Sequence, residues 1–253
     1  MRKPFITGNW KMFKTVAEAR HLVSELVPGL QAINGVDKAI CPPFTALLAV
    51  RALLEGTEIG LGAQNMYWEA SGAFTGEISP LMLAEFCQYV IIGHSERRIH
   101  MHENDTEVNK KVRLALQYGL VPIICVGEKY EERQAGKRDV VIMEEVANAL
   151  KGVDRFNQII IAYEPIWVIG RGEAIDPNEA RSAIGLIRYS LKDIYPQKVI
   201  DQKIKVLYGG SIDDKNITDF VDNKEIQGVL VGGSSMKPDV FIGMINNLSK
   251  HIG

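Results

Sequence analysis

The sequence predicts an α/β protein built as a (β/α)8 barrel, with parallel strands inside and helices outside. Short apolar runs recur eight times along the chain, and stretches of helical period separate them. No polar or glycine-rich linker divides the 253 residues into halves. A chain of this length supports one large core or two modest ones. The unbroken alternation favours one barrel domain spanning residues 1–253. An open doubly wound sheet is the alternative. Against it, the first run is followed by Gly8-Asn9-Trp10-Lys11 rather than the G-x-G-x-x-G turn that brings backbone against a dinucleotide.

The strands are expected at Phe5 to Trp10, Lys38 to Cys41, Glu58 to Ala63, Tyr89 to Gly93, Val121 to Val126, Ile159 to Tyr163, Ile204 to Tyr208 and Gly228 to Val231. Their interiors are apolar without clean alternation, as in parallel strands buried on both faces. After the first strand, Thr15 to Leu26 sets Val16, Ala19, Leu22, Val23 and Leu26 on one side of a covering helix. Glu107 to Tyr118 repeats the pattern with Val108, Val112, Ala115 and Leu116. Asp176-Pro177-Asn178-Glu179 combines an N-cap, a proline at the first helical position and a glutamate three residues after the cap, starting a helix through Ala180 to Asp193. The longer segment from Gln64 to Glu77 carries Tyr67, Trp68 and Phe74, which by themselves read as burying against the parent barrel.

Charge and composition exclude some function classes. With 29 basic and 31 acidic residues interspersed, the net charge of -2 provides no global field for nucleic acid or an anionic membrane. A small anionic substrate would need a local positive site. The stretch MRKPFITGNWKMF lacks the continuous apolar segment of a secretion signal, and no run approaches membrane-spanning length, so a soluble cytoplasmic protein is expected. Cys41, Cys87 and Cys125 are odd in number and lie near apolar residues, as free core thiols do. His100 and His102 stand near Glu103 and Asp105, but i,i+2 side chains do not share a helical face. Neither a metal nor an organic cofactor is expected.

Barrel geometry gathers residues at the carboxyl ends of separate strands into one mouth. Asn9, Lys11, Asn65, His94, Glu164, Ser211, Gly232 and Gly233 all occupy such positions. Tyr208-Gly209-Gly210-Ser211 and Leu230-Val231-Gly232-Gly233-Ser234 are glycine-rich turns, either structural or built to cradle an anion with backbone N–H groups. As an anion cradle, they would use Ser211, Gly232 and Gly233 on a phosphate, with Gly170 added from a neighbouring loop. Lys11 is then a charge stabiliser rather than a surface lysine. His94 precedes Ser95, a helix start that favours neutral imidazole; a core histidine is the plainer reading. Glu164 ends an apolar strand and precedes a loop containing Pro165, Gly170 and Gly172. It reads as a general base that closure shields from water, or as a turn cap or ion-pair partner. Glu96 and Arg97 support adjacent loops or act directly.

Asn9-Trp10-Lys11, Ile92-Gly93-His94-Ser95-Glu96-Arg97-Arg98, Tyr163-Glu164-Pro165-Ile166-Trp167, Tyr208-Gly209-Gly210-Ser211 and Leu230-Val231-Gly232-Gly233 occur in that order. Together they closely resemble the triosephosphate isomerase family over essentially the whole chain. The resemblance implies a TIM barrel that interconverts dihydroxyacetone phosphate and D-glyceraldehyde 3-phosphate in glycolysis and gluconeogenesis, without a redox cofactor. It implies that Glu164 moves the carbon-bound proton, His94 serves as electrophile and Lys11 stabilises the enediolate. Asn9 then orients substrate and Lys11, and Ile169 and Leu230 act as apolar clamps near Glu164. Pro165 to Ile175 resembles a closing lid, although Arg171, Glu173, Ala174 and Ile175 depart from the common Thr and Lys-Thr-Ala of the family. Asn65 and Thr75 are implied at a homodimer interface, with Thr75 reaching the partner's site; Phe13 replaces the usual Asn. The competing readings are another sugar-phosphate isomerase, a Schiff-base aldolase using Lys11, and a metabolite-binding protein without turnover.

Overall fold

The computed structural model describes residues 2–168, 174–222 and 224–252. Eight strands, β1 (Phe5–Asn9), β2 (Asp37–Cys41), β3 (Ile59–Ala63), β4 (Tyr89–Ile92), β5 (Val121–Val126), β6 (Ile159–Tyr163), β7 (Ile204–Tyr208) and β8 (Gly228–Val231), close in sequence order into a barrel. Every neighbouring pair is parallel, including β8 against β1. The outer helices are α1 (Val16–Gln31), α2 (Leu47–Leu54), α3 (Pro80–Ala84), α4 (Ser95–His100), α5 (Asp105–Gln117), α6 (Tyr130–Gln134), α7 (Arg138–Ala149), α8 (Pro177–Ile194), α9 (Gln197–Lys203), α10 (Ile217–Phe220) and α11 (Pro238–Ile252).

Two apolar layers explain the strands' continuous hydrophobicity. Phe5, Ala39, Cys41, Ile91, Ile123, Cys125, Ile160, Ala162, Leu207 and Leu230 form one cluster inside the barrel. The alternate positions, such as Ile6, Ile40, Val90, Ile124, Ile161 and Val206, pack outward with the helices. A slip by one residue would therefore exchange one buried set for another, and polar residues fix the register. Thr7, Asn9 and Lys205 are buried on the strands. Lys205 pairs with Asp37 at 2.8 Å near the amino ends of β7 and β2, away from the mouth.

Sequence signals placed three of these helices, α1, α5 and α8, and shortened each of them. Helix α1 starts after Thr15, which forms a reciprocal capping box with Glu18, and continues through Pro28 to Gln31, beyond the predicted Leu26. Lys38 extends that helix's polar satisfaction by donating to the carbonyls of Leu30 and Ile33. Helix α5 begins at Asp105 because Asn104 and Glu107 form another capping box. Asp176 caps α8 by accepting from the Asn178 N–H at 2.7 Å. Glu179 does not complete a box there; it pairs with Arg133.

Closure also requires close backbone approach. Gly228 has φ of 146°, and a side chain there would place Cβ 1.9 Å from the Phe5 carbonyl oxygen. A glycine is therefore required where the last strand meets the first. The three cysteines are buried and free, and burial pushes the Cys41 and Cys87 thiols up to about 12. No described helix is long and apolar enough to cross a membrane.

Candidate active site

The carboxyl ends of β1, β4, β6, β7 and β8 meet around a cleft of about 560 Å³. Asn9, Lys11, His94, Glu164, Ser211, Leu230, Gly232 and Gly233 all line it, joined by Lys237. Asn65 does not line it. Its side chain is turned into the interior, where Oδ1 accepts from Lys111 at 2.8 Å. Thr75 is exposed on the long loop after β3. Ile169, Gly170, Arg171, Gly172 and Glu173 lie outside the described residues.

Alternation along β6 determines where Glu164 goes. Ile160 and Ala162 face the barrel interior, so the residue two positions further on enters the mouth. Its main chain is fixed by donation to the Val126 carbonyl at 2.8 Å. One carboxylate oxygen accepts from the Ser95 N–H at 2.9 Å, and the other lies 3.0 Å from His94 Nε2. Burial raises the Glu164 pKa, but His94, the Ser95 N–H and Lys11 outweigh it and leave the carboxyl below its ordinary value.

His94 is the N-cap of α4, with Nδ1 accepting from the Glu96 N–H at 3.2 Å. That arrangement places the ring proton on Nε2, toward Glu164. Burial lowers the His94 pKa; the adjacent Glu164 carboxylate outweighs it and holds the imidazole above its ordinary value. Moving Glu164 away removes that support. The buried ring and the N–H aimed at Nδ1 would then favour neutral imidazole.

Lys11 occupies a left-handed backbone conformation with φ of 53°. Such a conformation is uncommon without glycine and costs about 1–3 kcal/mol. Asn9 Oδ1 accepts from the Lys11 N–H at 3.0 Å, and Gln64 donates to the Lys11 carbonyl at 2.9 Å. Lys11 Nζ reaches Glu96 Oε1 at 2.5 Å. On the neighbouring strand ends, a Cβ at Gly232 would lie 3.5 Å from Lys11 Cε, while one at Gly209 would lie 3.1 Å from Glu164 Cγ. Missing side chains in both turns therefore leave room for the cation and the carboxylate. Bare backbone beside Lys11 suits an anion such as phosphate.

This carboxylate, imidazole and ammonium arrangement suits proton transfer beside a carbonyl, with an adjacent anion grip. Comparison with known proteins assigns its lineage. The triosephosphate isomerase family model matches residues 4–248. The chain belongs to the triosephosphate isomerase family. It is 47% identical over 250 residues to triosephosphate isomerase of Dictyoglomus thermophilum, covering 98% of this chain and 100% of the relative. A triosephosphate isomerase from Dehalococcoides mccartyi strain BAV1 is 49% identical over 244 residues, covering 96% of both chains. That of Carboxydothermus hydrogenoformans is 46% identical over 248 residues, covering 97% of this chain and 98% of the relative.

In this triosephosphate isomerase family member, several supporting residues escaped the sequence reading. Lys111 sits in the apolar stripe of α5 with Val108, Val112 and Ala115, an unusual lysine position that was itself a signal. It pairs with Glu103 at 2.8 Å; Glu103 also pairs with Arg97 and accepts from the Gly93 N–H at 3.0 Å. The network thus fixes the residue preceding His94. Glu128 is fully buried and accepts from Tyr163 and from Trp167 Nε1, the latter at 3.0 Å, anchoring the start of the segment after Glu164. Among the described residues, no group of three or more His, Cys, Asp or Glu could hold a metal ion.

Burial raises the Glu103 pKa, but Lys111 and Arg97 together leave it lowered; burial also lowers the Lys111 pKa despite the pull of Glu103. Stability from Glu103 is therefore present above the ordinary carboxylate pKa and lost as pH falls through the lowered value. Lys111→Met should destabilise the fold by about 3 kcal/mol near neutrality by leaving a buried charge short of a partner. Urea unfolding checks this, and the deficit should narrow on acidification as Glu103 protonates.

Proposed function

We propose that Glu164, His94 and Lys11 interconvert dihydroxyacetone phosphate and D-glyceraldehyde 3-phosphate through an enediolate. The observation that carries the proposal is the meeting of Glu164 with His94 Nε2 at 3.0 Å in a cleft also lined by Lys11 and the two glycine turns. Glu164 leaves the Ser95 N–H and takes the proton from the carbon beside the carbonyl. The C–H electron pair forms the new C=C bond, and the carbonyl π pair moves onto oxygen. His94 Nε2–H and the Lys11 ammonium stabilise that oxygen charge. A proton exchanges between the two oxygens through His94, and Glu164 returns its proton to the neighbouring carbon. The net change is an aldose–ketose exchange, balanced without an external oxidant or reductant.

The phosphate is held by backbone N–H groups at Ser211, Gly232 and Gly233. Asn9 acts through Lys11, whose backbone it holds, and Leu230 supplies an apolar wall. Glu96 orients Lys11 in the resting site. Substrate that displaces water from this end of the barrel deprives the carboxylate of solvation and raises its basicity.

A homodimer supports this chemistry. Met12, Phe13, Phe44, Leu48, Phe74, Leu81, Met82, Ile99 and Met101 are exposed on or near the connections after β1 to β4, with Met12 95% and Leu48 68% exposed. Tyr67 stacks on Trp68 with ring centroids 4.2 Å apart, giving the loop that carries Thr75 an internal aromatic base. A second copy is the occupant we assign to this surface, with Thr75 approaching the other subunit's cleft. Sedimentation at working concentration should show a dimer; a monomer with full activity contradicts this assembly.

A coupled isomerase assay in both directions tests the chemistry. Glu164→Asp and His94→Gln should each lower kcat by about 10²–10⁴-fold, with the substrate's α-proton exchanging with solvent in the parent enzyme. No isomerisation by folded parent protein would defeat the functional assignment. Parent-like rates in both variants would instead defeat the residue roles.

A further inference from the structure

Glu145 on α7 belongs to neither the substrate cleft nor any step above, although its side chain is only 13% exposed. One oxygen accepts from the Gly127 N–H at 2.8 Å, and the other lies 3.5 Å from Arg98 Nη1. Arg98 in turn donates through Nε to the Gly93 carbonyl at 2.9 Å and through Nη1 to Asp105 at 2.7 Å. This places an outer-helix carboxylate between the connections after β4 and β5.

Gly127 is closely fitted to the backbone of Glu164. The Val126 carbonyl accepts from the Glu164 N–H, and the Glu128 carbonyl accepts from the Ile166 N–H. Between these two bonds, a Cβ at Gly127 would fall 1.8 Å from the Glu164 carbonyl oxygen. A shift of Gly127 must therefore be felt at the residue carrying the base. Through Arg98, the same Glu145 carboxylate reaches Gly93, which immediately precedes His94.

We propose that Glu145 is a positioning residue for the isomerisation, tying the segment that carries His94 to the segment on which Glu164 is seated. The inference rests on the proton-transfer assignment above. Its ionised form suits the tie because it accepts from the Gly127 N–H and attracts Arg98 simultaneously.

Burial pushes the Glu145 carboxyl up to about 7, against the lowering effects of Arg98 and the Gly127 N–H; Asp105 and Glu132 add to the rise. These groups face it from α4, the β5 connection, α5 and α6. The buried residues of α8 are uncharged, and burial keeps the Cys125 thiol on β5 neutral. Protonation therefore weakens the tie on the acid side of neutrality. Stability follows the opposite sign: the raised folded-state pKa contributes stability below the unfolded value of 4.5 that is lost as pH rises through about 7.

The test compares kcat/KM and thermal unfolding of the parent dimer and Glu145→Gln from about pH 6 to 8.5. Substrate ionisation is common to both proteins and cancels in their rate ratio. The parent should be roughly three- to tenfold faster at the alkaline end, with the ratio approaching one at the acid end. Glu145→Gln should be relatively more heat-stable at the alkaline end. A rate ratio independent of pH would overturn the proposal, because generic structural damage does not follow the titration of one carboxyl. If Glu145→Gln fails to fold, Glu145→Asp provides the decision: it should keep a pH inflection with a lower plateau, and a parent-like rate would overturn the proposal. Loss of isomerisation in the parent itself would instead defeat the functional assignment.

Discussion

Glu164 can serve as a base only if an apolar barrel end tolerates its charge before substrate arrives. In the resting site, the Ser95 N–H and His94 Nε2 hold its two oxygens at 2.9 and 3.0 Å. These interactions offset its burial and keep it ionised. They also restrain its reactivity, since a carboxylate engaged by two donors is a weak base. The site therefore separates storage of the charge from its use. In the proposed reaction, transfer onto substrate carbon exchanges those polar partners for a drier setting, increasing basicity where the proton must be removed. In that proposal, the same movement leaves His94 free to address the substrate oxygen.

Much of the remaining polar structure serves this exchange indirectly. Asn9 and Gln64 hold Lys11 in an uncommon backbone conformation. Glu103, supported by Lys111 and Arg97, captures the Gly93 N–H, while Glu128 binds Tyr163 and Trp167 around Glu164. Each device acts on, or immediately beside, the segment that carries Lys11, His94 or Glu164. Their number follows from the chemistry: the proton donors and acceptors come from separate strands, and small errors in their relative placement raise the barrier to transfer. The apolar barrel supplies rigidity, while the polar bonds select the registration of its mouth.

Much of the fold was legible in the sequence because each strand has to be apolar on both faces. Once closed-barrel order was inferred, Lys11, His94, Glu164 and the two glycine turns became spatial neighbours despite their distance in sequence. The capping residues Thr15, Asn104 and Asp176 also carried local structural information, although Pro28 did not end α1. Asn65 was harder to place: a strand-end position suggested the mouth, whereas a buried lysine from α5 draws its side chain inward. Glu103, Lys111, Glu128 and Glu145 were difficult to assign for the same reason. A charge tolerated by a distant buried partner leaves no distinct local periodicity, and only Lys111, interrupting an apolar helix face, offered a visible anomaly.

Residue-selective infrared titration of the Glu164 carboxyl in the substrate-free protein, repeated with His94→Gln, most directly measures the storage of charge on which this mechanism depends. The parent midpoint should lie below the ordinary value of 4.5, and removing His94 should raise it. A protonated Glu164 above pH 4.5 in the folded parent, or a midpoint unaffected by the His94 substitution, would contradict that account.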